Sequence, residues 1–157
     1  DSYLAACRQA AAALVSAGLL DGPTAERRVA ETTRRVEQKA RQCRDRVAPL
    51  AGTPVLASGH QAAFCRWLGL DVVATFAAAD TAGVAQMDRA VQEGDRAGVR
   101  IVVANRPEGR RVADKLSGRL GAPVVVLDNF PDPASGRTAF DMLLSGNVDR
   151  LLKAAGP

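Results

Sequence analysis

Aromatic side chains make up only 4% of this chain, with a single tryptophan and a single tyrosine. Alanine, valine and leucine must therefore fill its core, which suits alanine-bearing helices laid over valine-rich strands. Histidine is scarcer still, because His60 is the only one. A Ser-His-Asp or Cys-His nucleophilic centre would have to use it as base. Cys65 lies five residues further along the same expected helix, a spacing that points the two side chains in different directions. Ser58-Gly59-His60 is not a G-x-S-x-G elbow. Neither a G-x-x-x-x-G-K-[ST] phosphate loop nor a G-x-G-x-x-G after the first expected strand is present. These absences argue against an enzyme.

There are three cysteines, Cys7, Cys43 and Cys65, and none forms a C-x-x-C pair. A zinc ribbon or a thioredoxin-type centre is thereby set aside. In an exported protein a Cys43–Cys65 link would tie the long helix described below to the α/β core. The alternative is three small buried apolar thiols. No run of about 20 apolar residues is present that would span a bilayer. No signal-peptide pattern is visible, and the chain begins at Asp1, so a processed or truncated product is expected.

The chain has 157 residues, 47% of them apolar and 24% charged, which suits one globular domain with an appendage. Its net charge is +4. Much of the basic excess lies between Arg27 and Arg46, where Arg27, Arg28, Arg34, Arg35, Lys39, Arg41 and Arg44 are set against Glu31, Glu37 and Asp45. No aromatic stacking residues are interleaved with them, so they read as the solvated face of a helix and not as a nucleic-acid surface.

Leu4, Cys7, Ala11 and Leu14 recur at helical steps, and Gly18 stands where a C-terminal cap is wanted. Asp21-Gly22-Pro23 opens a second helix, which carries an apolar stripe of Val29, Val36, Ala40, Cys43, Val47 and Leu50 and ends at Pro49. Residues 1–50 are thus expected to form a helical hairpin with a long second arm. The pattern then changes to short valine-rich runs at Pro54–Ser58, Val72–Phe76, Arg100–Ala104 and Pro123–Leu127. Helical patterns follow them at Gln61–Leu68, Gly83–Ala97, Pro107–Leu120 and Thr138–Lys153, with Gly69, Gly98 and Gly121 just beyond three helix ends. The stretch Asn129–Arg137, with two prolines and a glycine, is the most irregular. Strands alternating with helices predict an α/β fold with a four-stranded parallel sheet over residues 51–157.

Ligands of such sheets bind outside the carboxyl ends of the strands. His60 follows the first strand and Asp128 the fourth, so an imidazole and a carboxylate emerge at one edge. That pair of donor types suits zinc or manganese.

The segment from Pro49 to Phe64, reading PLAGTPVLASGHQAAF, is similar to the stretch after the long interlobe helix in metal-binding solute-binding proteins of ABC transporters. Gly121–Asp128, reading GAPVVVLD, resembles that family's G-A-x-V-x-x-L-D. Phe140–Lys153, with Asn147-Val148-Asp149, resembles its closing helix. These motifs occur in the family's order and cover essentially the whole chain, yet only the second half of such a protein. The resemblance implies an extracytoplasmic receptor that carries zinc or manganese to an ABC permease. It implies a cleft ligand at His60 and another at Asp128, with the other ligands on an N-terminal lobe of the same precursor. The alternative is a Rossmann-like α/β domain that binds a small organic ligand or nucleotide. The chain departs from the family at Asn105-Arg106-Pro107-Glu108, where an acidic residue is usual near the strand end. Arg106 there is unfavourable to a cation unless it points away.

Overall fold

The computed structural model describes residues 2–77, 83–132 and 139–156. The chain divides into two compact units, Asp1–Arg41 and Gln42–Pro157.

The first unit holds α1 (Ser2–Ser16) and most of α2 (Gly22–Val47). Asp21 caps α2, its carboxylate accepting the Thr24 N–H at 2.8 Å. The expected stripe on α1 is shallow. Leu4, Cys7 and Ala11 are half-buried, and Leu14 is exposed beside Val15 and Leu19. The stripe on α2 is deeper, with Val36, Cys43 and Val47 buried.

The second unit is an α/β layer structure. Its strands are β1 (Pro54–Ser58), β2 (Asp71–Phe76), β3 (Ile101–Asn105) and β4 (Val124–Leu127). Its helices are α3 (Gly59–Trp67), α4 (Val84–Ala97), α5 (Arg111–Leu120) and α6 (Phe140–Ala155). All strand pairs are parallel, in the order β2-β1-β3-β4. Alternate residues of each strand serve opposite cores. Val55, Ala57, Ile101, Val103, Val125 and Leu127 pack with α3, α6 and the last turn of α2. Leu56, Val102 and Ala104 pack with α4 and α5. Helices thus cover both faces, which is why the strands read as nearly continuous apolar runs.

Three details differ from expectation. The helix expected from Pro107 begins only at Arg111. A single 3₁₀ turn, Arg106–Glu108, comes first, and Gly109 at φ 72° ends it in a conformation that disfavours side-chain-bearing residues. Val84, which reads with Met87 and Val91 as the apolar positions of the helix expected over Gly83–Ala97, opens α4 78% exposed. Cys43 and Cys65 sit in the same buried cluster, but all three cysteines are thiols and no Cys43–Cys65 disulfide forms. Burial pushes the Cys65 thiol up to about 12, so at neutral pH it packs as an apolar side chain. Positions 133–138, which include Thr138 and most of the irregular stretch, lie outside the described residues.

The end of β4 is held by one side chain. Asn147, buried on α6, donates from its carboxamide nitrogen to the Asp128 carbonyl at 2.9 Å, and its oxygen accepts the Asp128 N–H at 3.0 Å. Asp128 lies one residue past the strand, where no ladder serves its peptide groups, and the amide side chain supplies both partners. Replacing Asn147 by alanine orphans a buried donor and a buried acceptor. Asn147→Ala should therefore lower stability by about 3 kcal/mol in urea denaturation, from the loss of two buried hydrogen bonds.

Candidate functional site

In an open parallel sheet the crevice opens where strand order reverses, outside the carboxyl ends. Here that point lies between β1 and β3. His60 stands in the first turn of α3, directly after β1, with its side chain 67% exposed. Asp128 follows β4, two strands away across β3, and its carboxylate is only 8% exposed. Both expected residues therefore emerge at the same rim. The residues next to them are joined: Gln61 Nε2 donates to Asn129 Oδ1, linking the turn after β1 to the turn after β4.

The two candidates have different surroundings. Asp128 is held by two guanidinium groups, with Arg106 Nε on Oδ1 and Arg150 on Oδ2 at 2.7 Å. Arg150 also donates to Asn147 Oδ1 at 3.1 Å, one helical turn before it on α6. Burial of the carboxylate opposes its ionisation, but hydrogen bonds and charge from Arg106 and Arg150 outweigh that and hold Asp128 below the usual carboxylate range. The two arginines differ in exposure, at 62% for Arg106 and 26% for Arg150.

His60 faces Glu108, a residue that spacing along the sequence did not single out. His60 Nε2 lies 3.5 Å from Glu108 Oε1. Glu108 closes the 3₁₀ turn after β3, and a bridge between Asn105 and Gly109 pins that turn across the strand end. The only signal available beforehand was an acidic residue three places past the strand end, in the loop where the pattern departed from the family. A cavity of about 330 Å³ is lined by His60, Glu108, Thr75, Phe76 and Gln86 at this point. Three buried side-chain oxygens at the β1 and β3 ends have no hydrogen-bond partner among the described residues: Ser58 Oγ, Asn105 Oδ1 and Glu108 Oε2. Buried polar atoms of this kind are rare and mark places where a water, an ion or a ligand belongs. Among the described residues no group of three or more His, Cys, Asp or Glu side chains is gathered closely enough to hold a metal ion.

No protein-family model and no curated protein sequence matches the chain. Solved structures do match in fold. The Cd-bound periplasmic metal-binding protein of Candidatus Liberibacter asiaticus superposes with a TM-score of 0.78 at 12% identity, over 98% of this chain and 59% of that one. Its Mn-bound form gives 0.74 at 12% identity, over 98% and 58%. A crystal structure of ZnuA gives 0.72 at 13% identity, over 93% and 55%. At such identities the likeness is one of fold. The chain spans less than two thirds of the length of each of these structures.

The Asp128 cluster has a signed pH signature. Its carboxyl ionises more readily in the folded chain than in the unfolded one, where the ordinary value is about 3.9. The resulting stabilisation is complete above that value and fades as pH falls through the lower folded value. Asp128→Asn should therefore cost stability at pH 7, and its deficit relative to the wild type in urea midpoints should shrink as pH drops below about 4.

Proposed function

We propose that this chain is the C-terminal lobe, with its interlobe helix, of an extracytoplasmic solute-binding protein that captures a divalent transition metal ion for an ABC permease. His60 and Asp128 would be the ligands this lobe supplies, and an N-terminal lobe of the same precursor would supply the rest. The observation that carries the reading is the Gln61–Asn129 side-chain bond. It draws together the two turns that bear an imidazole and a carboxylate, at the rim where parallel sheets take their ligands. The fold shared with structures described as periplasmic metal-binding proteins and as ZnuA supports it. So do the exposed apolar residues Leu14 and Val15 of α1 and Leu19 just after it, which would suit a surface that packs on a further lobe. Zinc and manganese both fit nitrogen-plus-carboxylate donors. No reaction is involved. Neutral imidazole and ionised carboxylate are the binding forms, so acid would release the cargo.

The arginines qualify this reading in a specific way. A cation reaching Asp128 competes with Arg106 for Oδ1. Arg106 is the more exposed of the two arginines, at 62% against 26% for Arg150. It would be the one to give way.

A second reading keeps the α/β domain but gives it an anionic organic ligand or nucleotide. The one observation favouring it is the pair of guanidinium groups at the rim.

Titration of Zn²⁺ and Mn²⁺ into the chain by calorimetry at pH 7 separates these readings. On the metal-carrier reading His60→Ala weakens zinc binding at least about tenfold, as loss of a ligand should. Arg106→Gln strengthens it, because the competitor for Asp128 is gone. Unchanged zinc affinity in His60→Ala would remove the assignment. Binding of inorganic phosphate or a nucleotide, abolished in Arg106→Gln, would favour the second reading.

A further inference from the structure

The sequence pattern pairs His60 with Asp128, but the structure brings a different carboxylate to the imidazole. We infer that Glu108 is a further cation ligand of this rim, and that with His60 it forms the first binding pair a transition-metal ion meets. The inference rests on the metal-carrier reading above and adds to it a donor beyond His60 and Asp128.

Four observations converge on this pair. His60 Nε2 and Glu108 Oε1 are 3.5 Å apart. A cation bound at about 2.1 Å from each could be held between them with small side-chain adjustments. The second oxygen of Glu108 is buried and has no hydrogen-bond partner among the described residues, so the carboxylate is desolvated on one side and aimed into the cavity on the other. The cavity is lined from the ends of β1, β2 and β3, beside the point where strand order reverses, whereas Asp128 follows β4 and does not line it. Thr75 and Gln86 line the same cavity. Asp128, by contrast, has both carboxylate oxygens engaged by Arg106 and Arg150.

The 3₁₀ turn makes this division of roles. Arg106 and Glu108 are its first and last residues, and the turn sits on β3, between β1 and β4. Its guanidinium goes to the β4 side and its carboxylate to the β1 side. A cation can therefore settle on His60 and Glu108 while both arginines stay on Asp128, whereas Asp128 joins only when Arg106 leaves. Imidazole nitrogen with carboxylate oxygen selects zinc, manganese or iron over magnesium and calcium, which prefer all-oxygen sites.

The test is Zn²⁺ titration of the whole chain against a chromogenic chelator at pH 7, for wild type, Glu108→Gln, His60→Ala and the double variant. Glu108→Gln is expected to weaken zinc binding at least about tenfold while its thermal midpoint stays near that of the wild type. The double variant should be little weaker than either single one, because both groups hold one ion. Co²⁺ provides a readout that a purely structural role would not move: its visible absorption should change in Glu108→Gln. If Glu108→Gln binds zinc as the wild type does while His60→Ala is weakened, Glu108 is not a ligand and the metal-carrier reading survives. If the wild type and every variant fail to bind zinc, the inference and that reading fall together.

Discussion

The grip of the Asn147 carboxamide on the Asp128 peptide is the contact on which the rest of the rim depends. Strand β4 is four residues long, and the chain leaves the sheet at Leu127 with its next peptide still buried. Without a side chain to replace the lost ladder, that peptide would have to move toward water and take the Asp128 carboxylate with it. Asn147 prevents this and fixes Asp128 to α6. The following residues of α6 then fall into place by helical geometry. Val148 enters the core at 0% exposure, Asp149 meets Arg46 at 2.7 Å, and Arg150 reaches the carboxylate itself. Of these, the Arg46–Asp149 pair is exposed on both sides and adds little. The buried amide clamp contributes more, because breaking it strands two polar groups out of water.

Across the rim the charge is divided by the turn after β3. A tight 3₁₀ turn closed by Gly109 leaves its first and last side chains free to run in opposite directions. On the β4 side the carboxylate is more than neutralised by two arginines. On the β1 side Glu108 faces the imidazole of His60, and its other oxygen is buried without a partner among the described residues. One edge of one sheet thus carries a saturated carboxylate and an unsaturated one, separated by the width of a strand.

Much of this architecture was legible in the sequence. Four valine-rich runs, each followed by a helical pattern, predicted the parallel sheet, and the strands fall within a residue of the expected positions. The reason is physical: strands covered on both faces must be apolar throughout, and that signal survives without any alignment. Helix ends marked by Gly98 and Gly121 were equally plain, since both adopt the left-handed cap. The start of α5 was less legible, because Pro107 suits a helical first turn and a 3₁₀ turn alike, and only the conformation of Gly109 separates the two. The shared rim of His60 and Asp128 followed from topology. The partners of those residues did not, because Arg106, Glu108, Asn147 and Arg150 meet them through tertiary packing that no local period encodes. Val84 failed as a core residue for a related reason: periodicity assigns a face along a helix, but not how far the neighbouring layer extends over its first turn.

The Arg106 side chain is where the fold and the proposed function pull against each other. A guanidinium 4 Å from a cation is repelled by about 4 kcal/mol per unit charge at an effective dielectric constant of 20. A divalent ion placed on Asp128 would therefore have to displace Arg106, the more exposed of the two guanidinium groups, whereas one held by His60 and Glu108 leaves it in place. Arg150 cannot leave as easily, because Asn147 Oδ1 also holds it, and the same amide holds Asp128. Asp128 would thus keep one cationic neighbour even with Arg106 gone, and it would be a weaker donor to a metal than a carboxylate without one. The carboxylate of Glu108 is turned to an imidazole instead. On electrostatic grounds alone, a cation at this edge is favoured toward the His60 side of β3.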